Sequence, residues 1–122
     1  MKILIVDDSG LSRAQLRSFF EKAQNVQFDE AVNGIDALEK QRSFQPDIIF
    51  LDYIIPAPDG LAVLKIISQI DEKVKIFMIT TLGNQQFLQD ECQKWGAAGV
   101  ITKPLSQEAV VKAMTKLFKS QS

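Results

Sequence analysis

The sequence predicts an α/β fold: a doubly wound, five-stranded parallel sheet of strand order 2-1-3-4-5, built as (βα)5 with helices on both faces. Three observations carry this prediction. Five short apolar runs alternate along the 122 residues with segments of helical periodicity. Four of those runs are rich in β-branched residues and apolar on both faces, as strands covered on two sides must be. No linker, repeat or low-complexity stretch interrupts the alternation, so a single domain over 1–122 is expected. Right-handed crossovers between parallel strands then distribute the helices over the two faces of the sheet.

The first strand is expected at Ile3-Leu4-Ile5-Val6. Leu16, Phe19, Phe20 and Ala23 follow at i, i+3, i+4 and i+7, the stripe of an amphipathic helix. The run from Val26 to Val32 carries Gln27, Asp29 and Glu30 and reads as an edge strand. A weaker helix over Gly34–Gln41 starts behind Asn33, a good cap. Ile48 to Leu51 is the third and most central strand, followed by the proline-rich loop Pro56-Ala57-Pro58. Val63, Ile66, Ile67 and Ile70 predict the next helix stripe, and Val74 to Ile79 the fourth strand. A second weak helix over Asn84–Trp95 has Asn84 at its start. Gly99 to Thr102 is the fifth strand, and Val110, Ala113, Met114 and Leu117 stripe the last helix.

Composition narrows the function classes. Hydrophobic residues make up 46% of the chain, enough for a packed core. Fourteen basic residues against fifteen acidic ones leave a formal charge of −1, so nothing electrostatic points to nucleic acid or an anionic membrane. Ile3 to Val6 is too short for a secretory leader core, and no apolar run is long enough to span a bilayer. A soluble, cytoplasmic protein is the expectation. The single cysteine, Cys92, has no internal disulfide partner, and no histidine is present to activate it, so it is read as a helix-packing thiol.

In a doubly wound sheet the ligand site lies beyond the carboxyl ends of the strands. Asp7 and Asp8 stand there after the first strand, Asp52 after the third, Thr80 and Thr81 after the fourth, and Lys103 after the fifth. Each type alone is a weak signal, since strand-end aspartates commonly cap helices and lysines are commonly solvated. Their conjunction on one rim is the signal. Close carboxylates repel and need a cation. Oxygen-only ligation points to a hard ion, Mg2+ or alternatively Mn2+. Three aspartates, one lysine and one divalent ion cancel in charge, and such a site admits phosphate. Asp52, alone at the end of the central strand, is the best nucleophile, with Asp7 and Asp8 left to the metal. Positioning and charge stabilisation of this kind are most of what phosphoryl transfer requires.

The motifs Val6-Asp7-Asp8-Ser9, Asp52 followed by Pro56-x-x-Asp59-Gly60, Thr80, and Lys103-Pro104 make the chain resemble the receiver domain of two-component response regulators. The resemblance spans essentially the whole chain, and in length it is to the single-domain, CheY-like members, whose fold is of the flavodoxin/CheY kind. It implies that Asp52 accepts a phosphoryl group from a phosphohistidine and becomes an acyl phosphate. It implies an Mg2+ site of Asp7, Asp8, Asp52 and the backbone carbonyl of Ile54. Thr80 is similar to the switch hydroxyl that moves onto the phosphoryl group, and Lys103 to the lysine that pairs with it, across a cis bond to Pro104. Such a protein is a phosphoacceptor that assists its own phosphorylation and dephosphorylation, not an enzyme with a separate substrate. With no histidine here, the donor is outside the chain: a histidine kinase, a histidine phosphotransfer protein or a small acyl phosphate.

Departures from the family pattern carry their own expectations. Relatives often have Tyr or Phe three residues before the lysine, where this chain has Val100, so the usual coupling of threonine to a turning ring is missing. Trp95 either takes up part of that aromatic role on the output face or serves packing. Thr81 is bulkier than the usual small residue beside the site and is expected to narrow access to Asp52. Ile54 and Leu82 occupy the two positions that orient the hydrolytic water in relatives; apolar side chains there predict a slowly decaying phosphorylated state.

The expected output is a protein–protein surface of the fourth helix, fifth strand and fifth helix, for a chemotaxis-type or phosphorelay target, acting as a monomer or a phosphorylation-dependent dimer. Gln85, Gln89, Gln93, Lys112, Lys116 and Lys119 are assigned to its exposed side. The lysines either form a basic patch for an acidic partner or simply favour the helix dipole. Three other readings are weaker. A dehalogenase-type phosphatase needs a second aspartate where Ile54 stands. A flavin or nucleotide domain needs a phosphate-cradling first loop where Asp7-Asp8 stands. A pseudo-receiver scaffold would not need all five site residues.

Overall fold

In the computed structural model, which describes residues 1–82 and 85–121 and the side chains of 1–82 and 85–117, strands and helices alternate without exception. The order is β1 (Lys2–Val6), α1 (Gly10–Ser18), β2 (Gln27–Ala31), α2 (Gly34–Phe44), β3 (Ile48–Asp52), α3 (Gly60–Ile70), β4 (Lys75–Thr80), α4 (Gln86–Lys94), β5 (Gly99–Thr102) and α5 (Gln107–Gln121). All strand pairs are parallel, in the order β2-β1-β3-β4-β5 that the sequence predicts.

The period of two along each strand explains why the central runs are apolar throughout. Leu4, Val6, Ile49, Leu51, Ile76 and Met78 face one layer, packed on Ala37 of α2, Val63, Leu64 and Ile67 of α3, and Leu88 and Cys92 of α4. Ile3, Ile5, Ile48, Phe50, Phe77 and Ile79 face the other, packed on Leu16 of α1 and Val110 and Met114 of α5. Each such fully buried side chain contributes about 1.5–3 kcal/mol. On the α1–α5 side Phe50 stacks on Phe77 at 5.6 Å, and Phe20 meets Phe28 and Phe50, each at 5.9 Å.

Several local expectations are corrected. The stripe of α3 runs along Gly60, Val63, Leu64 and Ile67, while Ile66 and Ile70 are exposed. Helix α1 stops at Ser18, because Phe20 and Glu21 bond back to Arg17 and Ser18 in tighter i→i+3 turns. Phe19 and Phe20 still pack on the core from those turns, but Ala23 is exposed. Helix α2 is capped by Asn33, whose side chain accepts the Asp36 amide at 2.8 Å, and runs on to Phe44. Helix α4 begins behind Gln85, which makes no side-chain cap bond; the proposed cap Asn84 lies outside the described residues. The edge strand β2 is blunted by charge: Asp29 pairs with Lys40, and Glu30 with Arg13 and Arg17.

Cys92 is fully buried in α4, as a packing thiol should be. Burial first, and the charge of Glu91 second, push its pKa up. An aromatic disulfide reagent is therefore expected to modify the native protein only as fast as the fold opens, and at once in denaturant. Immediate native-state reaction would contradict this packing. No helix among the described residues is long and apolar enough to cross a membrane.

Candidate functional site

Beyond the strand ends, the side chains singled out by sequence come together. One carboxylate oxygen from each of Asp7, Asp8 and Asp52 lies within 4.8 Å of the others. Asp7 and Asp52 are only 4% and 6% exposed, whereas Asp8 faces solvent. Two like charges so deeply buried require a partner. Lys103 supplies it: its Nζ donates to Asp52 Oδ2 at 2.8 Å and to Asp7 Oδ2 at 3.2 Å. Burial pulls the lysine pKa down, but the hydrogen bond and charge of Asp52, then of Asp7, more than offset this and hold it above the ordinary lysine value.

The second oxygens of the buried pair are fixed by the loops. Asp7 Oδ1 accepts the Ser9 amide at 2.9 Å, and Asp52 Oδ1 accepts the Ile54 amide at 3.1 Å. Ser9 also caps α1 by accepting from the Ser12 amide. The Asp8 carboxylate has no partner among the described residues. A cluster of hard oxygen donors, one of them unengaged and facing water, fits a hard divalent cation such as Mg2+ or Mn2+. Ile54, whose carbonyl is the further ligand implied by the resemblance, lies in the loop that borders this cluster.

Thr80 is 1% exposed at the end of β4. Its hydroxyl oxygen accepts the Leu82 amide at 3.0 Å, so it is engaged with its own loop and not with Asp52. The Lys103 amide donates to the Thr80 carbonyl at 2.9 Å, which joins the ends of β4 and β5 behind the lysine. The Lys103–Pro104 peptide is cis, as is Ala57–Pro58. Thr81 is exposed and lines a cavity of about 360 Å³ with Ser12, Gln15, Lys103, Pro104 and Leu105. Ile54 and Leu82 are exposed at the rim, at 63% and 38%.

Trp95 lies at the end of α4, turned toward α3. It is the C-cap of α4 and packs on the α2–α3–α4 layer, with Lys65 of α3 4.7 Å and Lys94 5.7 Å from its ring centre. The packing reading accounts for these contacts. Of the lysines assigned to α5, Lys112 and Lys116 are exposed and line the groove against β5, while the Lys119 side chain lies outside the described residues.

Two supports of the site have no role assigned to them by the sequence reading. The first is Gly60. Asp59 caps α3 by accepting the Ala62 amide at 2.9 Å, and the Gly60 amide donates to the Tyr53 carbonyl at 3.0 Å. A Cβ on Gly60 would clash with the Asp52 carbonyl oxygen and stand 2.7 Å from Tyr53 Cα. The motif that ends in Asp59-Gly60 thus packs a helix start directly against the backbone of Asp52. The second is Arg13, whose NH1 donates to the Asp7 carbonyl at 2.8 Å. The only sequence signal for it is the Ser9 cap, which sets the phase of α1.

Comparison with known proteins agrees with this architecture. Residues 3–115 match the family described as the response regulator receiver domain. The chain is 36% identical to the chemotaxis protein CheY of Thermotoga maritima over 97% of its length and 98% of that protein's. It is likewise 36% identical to CheY of Bacillus subtilis, covering 94% of this chain and 95% of the relative. Among solved structures, a CheX-CheY-BeF3-Mg2+ complex from Borrelia burgdorferi aligns with a TM-score of 0.88 at 32% identity, covering 97% of this chain and 89% of that one. A match that runs from β1 into α5, with identity of this size along almost the entire chain, makes the protein a member of the response regulator receiver domain family, of the CheY-like kind.

Proposed function

We propose that this protein is a cytoplasmic, phosphorylation-switched signalling module in which Asp52 accepts a phosphoryl group from a phosphohistidine on a kinase or phosphotransfer partner. The observation that supports this reading best is the convergence of Asp7, Asp8 and Asp52 on one rim with Lys103 bridging the buried pair. A carboxylate oxygen of Asp52 attacks phosphorus, the P–N bond to the donor imidazole breaks, and the leaving imidazole takes up a proton from water. The product is an acyl phosphate. Asp7, Asp8, Asp52 and the Ile54 carbonyl would hold Mg2+, or alternatively Mn2+, which supplies charge neutralisation at the phosphoryl oxygens. Lys103, already 2.8 Å from Asp52, passes its hydrogen bond to a phosphoryl oxygen. Thr80 leaves the Leu82 amide for another phosphoryl oxygen, which draws the loop after β4 inward and biases the α4–β5–α5 face toward its partner-binding form. The MgBeF3-bearing CheX–CheY complex is a relative captured with a phosphoryl-like group and a protein partner; by analogy the target here is a protein, in a chemotaxis-type or phosphorelay pathway. The direct test is incubation with Mg2+ and acetyl phosphate, with the intact mass read for one added phosphoryl group. No uptake with either Mg2+ or Mn2+ would overturn the reading.

The lifetime of the acyl phosphate is a separate prediction. Ile54 and Leu82 border the site without a group to orient a water molecule. Decay in Mg2+ without a phosphatase is expected to be slow, and Ile54→Asn, which restores a polar side chain at the rim, is expected to speed it about tenfold or more. Loss of the mass adduct with time measures both. A native half-life of only seconds would contradict the expectation.

A further inference from the structure

We infer that Arg13 is a positioning residue for the acid pair, holding the Asp7–Asp8 peptide so that the Asp8 carboxylate stays aimed at the metal. This inference rests on the proposed metal-dependent function. Asp8 is exposed and makes no side-chain bond among the described residues, so nothing but its backbone orients it. The peptide unit between Asp7 and Asp8 is restrained at its carbonyl, which accepts Arg13 NH1 at 2.8 Å. Arg13 is itself held from the other side: its Nε donates to Glu30 Oε1 at 2.7 Å, and its side chain is 18% exposed. Glu30 is held in turn by Arg17 NH1 at 2.9 Å, and its strand neighbour Ala31 accepts the Asp7 amide at 3.1 Å. The guanidinium thus ties the end of β1 to the first turn of α1 and to the edge strand β2.

The fork geometry matters. One planar group reaches a carbonyl and a carboxylate at once, through different nitrogens, while keeping a fixed orientation. A lysine has the charge but no such fork. Rotation of the Asp7–Asp8 peptide would swing Asp8 away while leaving Asp7 pinned by the Ser9 amide and Lys103. Arg13 therefore acts through Asp8 and not through Asp7.

The test is a double-mutant cycle on Mg2+ affinity, measured calorimetrically on the full chain. Removing supports of a metal ligand typically costs 10- to 100-fold in affinity, and Arg13→Ala is expected to weaken Mg2+ binding about tenfold. With Asp8→Asn already present, the same substitution is expected to change affinity less than about twofold, because the group it positions is no longer a charged ligand. A general loosening of the fold would give equal losses in both backgrounds, and that result overturns the inference, as does unchanged affinity in Arg13→Ala. Should Arg13→Ala fail to fold, Arg13→Lys replaces it in the same cycle, with a loss of about threefold expected and unchanged affinity again overturning the role. A native chain that binds no Mg2+ would sink the metal reading itself; native binding with an unmoved Arg13 variant would sink only the role of Arg13.

Discussion

Asp52→Asn is expected to abolish phosphoryl uptake from acetyl phosphate while leaving the fold intact. The amide is nearly the same size and keeps an oxygen to accept the Ile54 amide, but it offers no anionic nucleophile. A loss of about 10³-fold or more, below detection by intact mass, is the expected result. The substitution also turns the contact with Lys103 into one between two donors, or forces the amide to flip and abandon Ile54. Mg2+ affinity should fall too, since one of three clustered carboxylates becomes a neutral ligand. The thermal midpoint should move much less than activity, because Lys103 keeps Asp7 as a counter-ion and one buried negative charge is gone. Phosphorylation of the variant at the native rate would place the acceptor elsewhere.

Gly60→Ala is expected to be the more damaging change to the fold, although it adds one methyl group. The clash is with backbone, the Asp52 carbonyl and Tyr53, not with the far end of a flexible side chain. Relief requires α3 to retreat from β3 or the Asp52 peptide to tilt. Overpacking of this kind costs about 3 kcal/mol, or roughly 10 °C in the melting midpoint of a domain this size. The tilt would also move Asp52, so phosphorylation should slow even where the variant is still folded. Gly34→Ala is the control. Its Cβ would meet the backbone of Pro58, 2.8 Å from the carbonyl carbon, on the loop between β3 and α3. It is expected to destabilise by a similar amount with a smaller effect on the rate. Equal loss of rate per degree lost in both variants would argue against a direct link from Gly60 to Asp52.

The strands and the acidic rim were legible because both are local. A run such as Ile48-Ile49-Phe50-Leu51 is apolar on both faces whatever lies beyond it, and its last residue marks the rim where a ligand binds. Asp7, Asp8, Asp52 and Lys103 could be placed together from strand ends and strand order alone. The resemblance then supplied the switch role of Thr80 and the metal role of the Ile54 carbonyl, which spacing does not give.

The faces of helices were another matter. Helix α3 carries Leu61, Val63, Leu64, Ile66, Ile67 and Ile70, so apolar residues run nearly all round it and several stripes fit a period of 3.6. Packing into the core layer that includes Leu51 and Met78 buried Leu64 and left Ile66 and Ile70 outside. Likewise the neighbours of Trp95, the core layer under α2–α4 and Lys65 of α3, were set by tertiary packing. The sequence by itself determined which chemical groups line the strand ends, since alternation and chain order place them without reference to distant contacts. Tertiary structure alone decided which helix face is buried, why position 60 tolerates no side chain and which arginine braces the acid loop. Those are properties of approach in three dimensions, of α3 to the backbone of β3 and of the Arg13 guanidinium to the Asp7 carbonyl, and residue order alone does not fix them.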